Sequence, residues 1–347
     1  MSQTTYAMIP QRIVGPIHLI SKEFEEHIQV PLATFETPLW PSVQRGARLC
    51  NAAGGIKVSI INEGMTRSVV VESPSVWLTQ DVIVWLQTQE ETMRSLVKTT
   101  SSYCQFQKWH HQVVGRLLYL RFSFFTADAS GHNMVTKAAE ALLKWLLEKR
   151  QELSYVSISA NLCTDKKPQA VNGLLGRGKY VVAEVFLSRA LCQKFLKTTP
   201  EKIIDLNLKK NYIGSCLAGS IRSANAHFAN MLLAFYLATG QDAANIVEGS
   251  QGLTHAECIN DDLYFSVTLP NVIVGVHGNG KDLPFVRENL TMMGCATTSP
   301  HGTSSRKLAQ IVGSVVLCGE LSLLGAQTHL DELMRSHLAI ERKYDQY

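Results

Sequence analysis

An alternation of residue patterns between positions 67 and 159 constrains the fold most. Arg67–Val71, Arg116–Phe125 and Tyr155–Ser159 are short runs rich in β-branched and aromatic residues, which predict strands. Between them, Thr79–Lys98 and Val135–Lys149 predict helices, the second with apolar residues at Ala138, Leu142, Leu143 and Leu146. A strand–helix–strand–helix–strand order of this length can close a small two-layer unit. The flanks read differently. Residues 1–66 contain Pro10, Pro16, Pro31, Pro38, Pro41 and the pair Gly54-Gly55, and read as loop-rich. Downstream, Tyr180–Leu187, Ile203–Leu208, Leu263–Leu269 and Val272–Val276 read as strands. Ser220–Thr239 reads as a long helix stopped by Gly240, and Lys307–Leu324 and Thr328–Ile340 as closing helices. The expected class is α+β, with a large domain made of residues 1–67 and 159–347 and a small domain, 68–158, inserted into it.

With 347 residues, 46% of them hydrophobic, the chain can bury a substantial core. A formal net charge of +4 suits a polyanionic small ligand and is too weak to point to nucleic acid. The eight cysteines form no Cys-x-x-Cys pair and no Cys/His metal spacing, so buried, reduced thiols and no metal are expected. The first residues lack a basic-then-apolar signal pattern. Apolar stretches such as Met231–Ala238 fall short of the roughly 20 residues that cross a bilayer. A cytoplasmic protein with no membrane partner is therefore expected.

The densest chemical signal lies between Ser159 and Lys179, SANLCTDKKPQAVNGLLGRGK. Lys166 and Lys167 stand between Asp165 and Pro168, and a residue before proline is pushed toward extended geometry, so this is a stiffened loop. A lysine held there beside carboxylates stays protonated and can polarise a carbonyl oxygen. A solvated basic turn is the plain alternative. Asp242 follows Gly240 and Gln241 at the end of a helical pattern, where the helix dipole disfavours a carboxylate, so its position calls for a nearby cation. Glu36 lies in PLATFETPLWPSVQRG, an otherwise apolar, proline-bounded stretch; if partly buried, its pKa would rise enough to let it donate a proton near neutrality. His337, in MRSHLAIER, has the side chain best suited to proton transfer near pH 7, although a helix histidine is as readily structural. ADASGHNMVTKAAE ends a strand and opens a helix after a glycine, a place suited to a phosphate. GVHGNGK is glycine-rich but lacks the spacing of a Walker loop.

Taken together and in this order, the segments resemble the 3-hydroxy-3-methylglutaryl-CoA (HMG-CoA) reductase family over roughly residues 28–345. The TDKKP wording resembles the eukaryotic and archaeal subtype. The resemblance implies a large α/β substrate domain with an inserted ferredoxin-like domain that binds a nicotinamide nucleotide. It implies reduction of HMG-CoA to mevalonate and CoA by two hydride transfers, with Glu36, Lys166, Asp242 and His337 catalytic. Ser42, Arg45, Ser159, Lys167, Lys210, His227 and Asn230 would bind substrate. Asp128, Gly131, Asn133, Met134, Gly278, Gly280 and Arg342 would bind the cofactor, with Ser130 and Asn279 departing from the usual motifs. The subtype favours NADPH; Glu72 and Ser102, where relatives place basic residues, leave NADH open. A homodimer or larger homo-oligomer with the site at the subunit interface is expected. A catalytically degenerate CoA-binding relative, or the same enzyme run oxidatively with NAD, are the alternatives.

Overall fold

The computed structural model describes residues 5–341, without the side chains of residues 336, 337 and 339–341. Among the described residues, nine strands form one continuous sheet. They are β1 (Gln11–Ile20), β2 (Glu25–Ala33), β3 (Ile56–Glu72), β4 (Gln105–Val114), β5 (Leu117–Phe125), β6 (Ser154–Ser157), β7 (Gly178–Leu187), β8 (Leu253–Ile259) and β9 (Asp262–Val272). The larger part runs β2-β1-β3-β7-β9-β8, antiparallel except for the parallel pair β1–β3.

The 17-residue strand β3 serves both parts of the sheet. Lys57–Gly64 pairs with β7, Met65–Glu72 pairs with β5 on one side, and Val70–Glu72 pairs with β6 on the other. With β4 beyond β5, the smaller part has the spatial order β6-β3-β5-β4. Its helices are α2 (Val76–Gln87), α3 (Glu90–Thr100) and α4 (His132–Lys149). This is a β-α-β-β-α-β arrangement of the ferredoxin-like kind with its first helix broken in two. The expected division at 67/68 therefore falls within one unbroken strand. Burial is nonetheless split: one apolar cluster draws on residues 65–153 with Ile273, and another on the rest of the chain.

Several expectations are corrected. Residues 1–66 are not loop-rich; they hold β1, β2, helix α1 (Leu39–Ala52) and most of β3. Pro10 precedes β1, Pro16 stands inside β1 at its register shift between Val14 and Ile17, Pro31 lies within β2, and Pro38 and Pro41 flank and enter the first turn of α1, so none of them ends these elements. Strand β4 was not expected because QFQKWHHQVV is mostly polar; backbone pairing to β5 makes it an edge strand. Ile203–Leu208 is helical, not a strand. The helix Pro200–Leu206 runs into a wide-turned π-helical segment, Asn207–Gly214, that carries Lys210. Thr199, Pro200 and Glu201 are a helix-start signal that the apolar run obscured. The Ser220–Thr239 helix begins only at Phe228, because Asn225 accepts from the Phe228 amide and Glu320 from the two amides before it. β9 takes in only Val272 of the expected strand Val272–Val276. Cys216 and Cys258 are exposed rather than buried.

The larger core closes around one helix, Thr303–Gln327, which is 25 residues long and has a mean hydropathy of 1.7 in its most apolar window. Its length and composition would suffice for a bilayer, contrary to the expectation from sequence, yet 94% of that window is buried inside the fold. Helix α1 crosses it at Gly46, where a Cβ would lie 2.1 Å from the Cys318 carbonyl oxygen. Only glycine permits this approach, and it sets Ser42 and Arg45 against Ser322.

Candidate active site

The Asp165–Pro168 turn is irregular, as its proline predicts, and its backbone is strained. Asn161, Thr164 and Lys166 all have positive φ, at 57°, 46° and 56°. Such residues persist only where surrounding contacts over-determine them. Here the Cys163 amide donates to Ser68 Oγ, Asn172 Nδ2 donates to the Thr164 carbonyl, and Arg121 Nε donates to the Leu162 carbonyl. The Lys166 amide donates to Glu248 Oε1 at 3.1 Å.

Beneath the turn lies a buried charge network that sequence reasoning missed. Arg177 is 1% exposed and donates to Asp165 Oδ1 at 2.6 Å and to the Thr66 carbonyl at 2.6 Å. Glu248, fully buried, also accepts from Asn245 Nδ2 at 2.9 Å. Burial raises the Glu248 carboxyl above its ordinary value, in spite of the Lys166 amide and Arg177. Burial alone would raise Asp165 as well, but Arg177, His132 and Lys166 together hold it below the ordinary range. Arg177 stands in the GRGK segment singled out above, yet nothing local says that its guanidinium is buried.

On this platform Lys166 Nζ meets Asp242 Oδ2 at 2.7 Å. That hydrogen bond raises the Lys166 pKa against the opposing effect of desolvation. Asp242 is held low: burial acts upward, and the Lys166 hydrogen bond and the Ala244 amide outweigh it. The carboxylate at the helix end thus has the cation that its position calls for. Both side chains remain open to solvent, so an incoming carbonyl oxygen can reach the ammonium. His132, the first residue of α4, approaches Asp165 at 3.8 Å, while burial lowers its own pKa.

The other expected residues are spread over several elements. Lys167 Nζ donates to the Asp165 carbonyl at 3.1 Å, and Ser159 is exposed in the segment that leads from β6 into the turn. His227 Nε2 donates to the Gly319 carbonyl at 3.0 Å, and its Nδ1 faces Asn230 Nδ2 at 3.3 Å. Burial lowers His227 to about 4 and raises Glu320 to about 7, so their 4.0 Å approach is not a strong ion pair. Lys210 is lowered by burial and partly restored by Glu320. Ser42 and Arg45 bind Ser322, Arg45 Nη2 donating to its carbonyl at 2.6 Å. Glu36 is exposed, not partly buried as expected, on the loop between β2 and α1. His337 lies in the helix Glu332–Glu341 but its side chain is outside the described set, and Arg342 lies outside the described residues.

The cofactor segments come together in space. Gly131, at φ 91°, caps the start of α4, and Ala129 bridges to His277 of the glycine-rich loop. Ala129 and His277, together with Met134, Tyr103 and Thr298–Pro300, line a cleft of about 230 Å³. Asn133 is exposed on the first turn of α4. Asp128 lines the cleft, but both its oxygens are engaged within the chain, by the amides of Ser299 and of Ser305 in the long core helix. Gly278 has φ 107° and open space above it; Gly280, at φ 83°, packs inward. Glu72 is misplaced by the sequence reading. It pairs in register with Leu117 and binds Arg116 at 2.6 Å, at the opposite end of β5 from the cleft. Ser102, by contrast, adjoins Tyr103 in the cleft wall.

Comparison with known proteins decides what this geometry belongs to. The family profile "Hydroxymethylglutaryl-coenzyme A reductase" matches residues 2–342. The chain belongs to that family. The 3-hydroxy-3-methylglutaryl-coenzyme A reductase of Aeropyrum pernix is 41% identical over 336 residues, covering 96% of this chain and 79% of that protein. The Pyrococcus horikoshii reductase is 41% identical over 337 residues, covering 96% and 81%. A class II reductase from Streptococcus pneumoniae, solved bound to NADPH in open conformations, superposes with a TM-score of 0.75. That match covers 94% of this chain and 86% of the other at 20% identity, a likeness of fold alone.

Proposed function

We propose that this chain reduces HMG-CoA to mevalonate and CoA, with Lys166 and Asp242 as the pair that meets the reacting carbonyl. The 2.7 Å contact between them, on a strained and buried platform, carries the reading. A preorganised ammonium costs no reorganisation when negative charge develops on the thioester oxygen, and one such donor typically contributes about 3–4 kcal/mol. Bound nicotinamide supplies the hydride for each of the two reductions. The cleft fits such a group: Gly278, in the loop that carries the cleft residue His277, has open space above it for close backbone approach, and Met134 in the first turn of the 18-residue helix α4 stands in the wall. NADPH is the favoured nucleotide by family subtype, with NADH as the alternative.

Lys166 donates to the carbonyl oxygen in both steps, while Asp242 holds the ammonium in place. His337 protonates the departing CoA thiolate so that it does not re-add. Glu36 delivers the proton to the aldehyde oxygen in the second step. Lys167, Ser159, Lys210 and Asn230 hold the substrate's carboxylate and hydroxyl; Ser42, Arg45 and His227 serve the CoA side.

The reading includes a second copy of the chain that covers the face carrying Glu36 and Lys210. Phe35, beside Glu36, is 74% exposed, and Leu217, just beyond the Lys210 segment, is 84% exposed. Surface of this kind supports a subunit contact. The test is turnover of HMG-CoA with NADPH and NADH side by side, alongside free mevaldehyde. His337→Gln is expected to cripple HMG-CoA turnover and spare mevaldehyde, which has no thiolate to expel. Wild-type enzyme inert toward HMG-CoA with both nucleotides overturns the proposal.

A further inference from the structure

The glycine-rich loop beyond β9 ends in Lys281, a residue that the proposed chemistry does not use. Its side chain is only 8% exposed, and Nζ donates inward to the Gly240 carbonyl. Gly240, at φ 61°, ends the helix Phe228–Ala238, and Asp242 stands two residues further on. The two backbones are tightly packed here. A Cβ on Gly240 would lie 2.5 Å from the Gly280 carbonyl oxygen, and one on Gly280 would lie 2.8 Å from the Gly240 carbonyl oxygen. Neither segment can shift without the other.

The charge at this position also has a purpose. The C-terminal end of a helix concentrates partial negative charge, which opposes a carboxylate and favours a cation. Asp242 is faced by Lys166 from the strained turn, by His132 from α4 and by Lys281 from the glycine-rich loop. Next to Lys281, Asp282 is turned outward to Arg287 at 2.9 Å, so it does not neutralise the buried ammonium. Burial pushes Lys281 down to about 8, and Asp242 draws it back upward.

We propose that Lys281 is a positioning residue for the Lys166–Asp242 pair. Its ammonium grips the Gly240 carbonyl, fixes the turn that aims Asp242 at Lys166, and couples that turn to the loop lining the cofactor cleft. The activity readout rests on the reductase reading; the structural readout does not.

The experiment compares the full chain with Lys281→Met, isosteric without a donor, and Lys281→Gln, a donor without charge. Folding is checked by circular dichroism, and kcat is followed against pH with HMG-CoA and NADPH. In wild type, kcat is expected to fall through an inflection near pH 8, where Lys281 loses its proton. Lys281→Met is expected to lower kcat about tenfold at neutral pH, with KM for HMG-CoA changed less than about twofold, and to abolish the inflection. Lys281→Gln should regain part of kcat and still lack the inflection; it decides the matter if the Met variant does not fold. Wild-type kcat in both variants, or lost kcat with the inflection kept, would reduce Lys281 to ordinary packing. A crystal structure of either folded variant needs no turnover. The Lys166–Asp242 contact is expected to open beyond hydrogen-bond reach, and an intact 2.7 Å contact overturns the inference even if wild type proves inert toward HMG-CoA.

Discussion

The two polar segments that the reading brings to one carbonyl, the Lys166 turn and the Glu36 loop, are built in opposite ways. The turn is held from below by Arg177, Asp165 and Glu248, and the Lys166 amide and the Thr164 carbonyl have partners inside the chain. The Glu36 loop lies on the surface beside an exposed phenylalanine, its backbone organised by Thr34 and Leu39. In the proposed reading, one half of the site is preorganised by its own fold, and the other lies on open surface. A static charge at the oxyanion needs the first kind of support; a proton donor that must also admit substrate can come from a surface that another copy covers.

The largest effect that could break this comparison is on turnover. Lys166→Ala is expected to reduce kcat about a hundredfold or more with CoA binding largely kept, and retention of more than about a tenth would remove Lys166 from its role. Mixing Lys166→Ala with inactive Glu36→Gln sharpens the point. If each site takes one residue from each subunit, half of the randomly mixed dimers have one intact site, so about a quarter of wild-type activity should return. No recovery would place both residues in one subunit's site or none.

Stability should separate the two regions next. Arg177→Met leaves half-buried Asp165 and fully buried Glu248 without their cation, a loss of about 3–5 kcal/mol in denaturant unfolding. Glu36→Gln, on the exposed loop, should stay within about 0.5 kcal/mol of wild type. Similar values for the two would show that the buried network does not carry the turn.

The pH dependence of stability follows from the same network. Asp165 is depressed in the folded chain, so its stabilisation is complete above the ordinary carboxylate pKa of 3.8 and is lost as pH falls through the lower folded value. Asp165→Asn should be less stable near neutrality and decline less steeply in acid, as read from urea midpoints across that range. An acid decline as steep as wild type would assign the titration elsewhere. The smallest effect concerns the nucleotide. Ser102→Arg, beside the cleft wall, should widen the preference for NADPH over NADH. Glu72→Arg should leave the kcat/KM ratio unchanged, since Glu72 pairs with Arg116 seven register steps along β3 from Met65, roughly 23 Å away at strand spacing. A shift with Glu72→Arg alone would reverse the assignment of that wall.

How much could be read beforehand differs between these regions for a physical reason. Turn chemistry is local: the proline after Lys167, the glycine before Gln241-Asp242 and the glycine opening α4 each act on their nearest neighbours, and these three turns appear where their residues predict. The carboxylate at a helix end announced its cation before the lysine could be located. Burial is not local. Arg177 and Glu248 look like any other charged residues until β7 and the segment after Asp242 bring them under the turn. Polar β4 became a strand only because β5 offered its edge, and Ile203–Leu208 became a helix because its termini outweighed its apolar run. The sequence by itself determined the family, the alternating core and the chemical types of the reacting groups. Tertiary structure alone decided which charges are desolvated, which carboxylate meets which lysine, and which face is left exposed, because those depend on contacts between residues far apart in the chain.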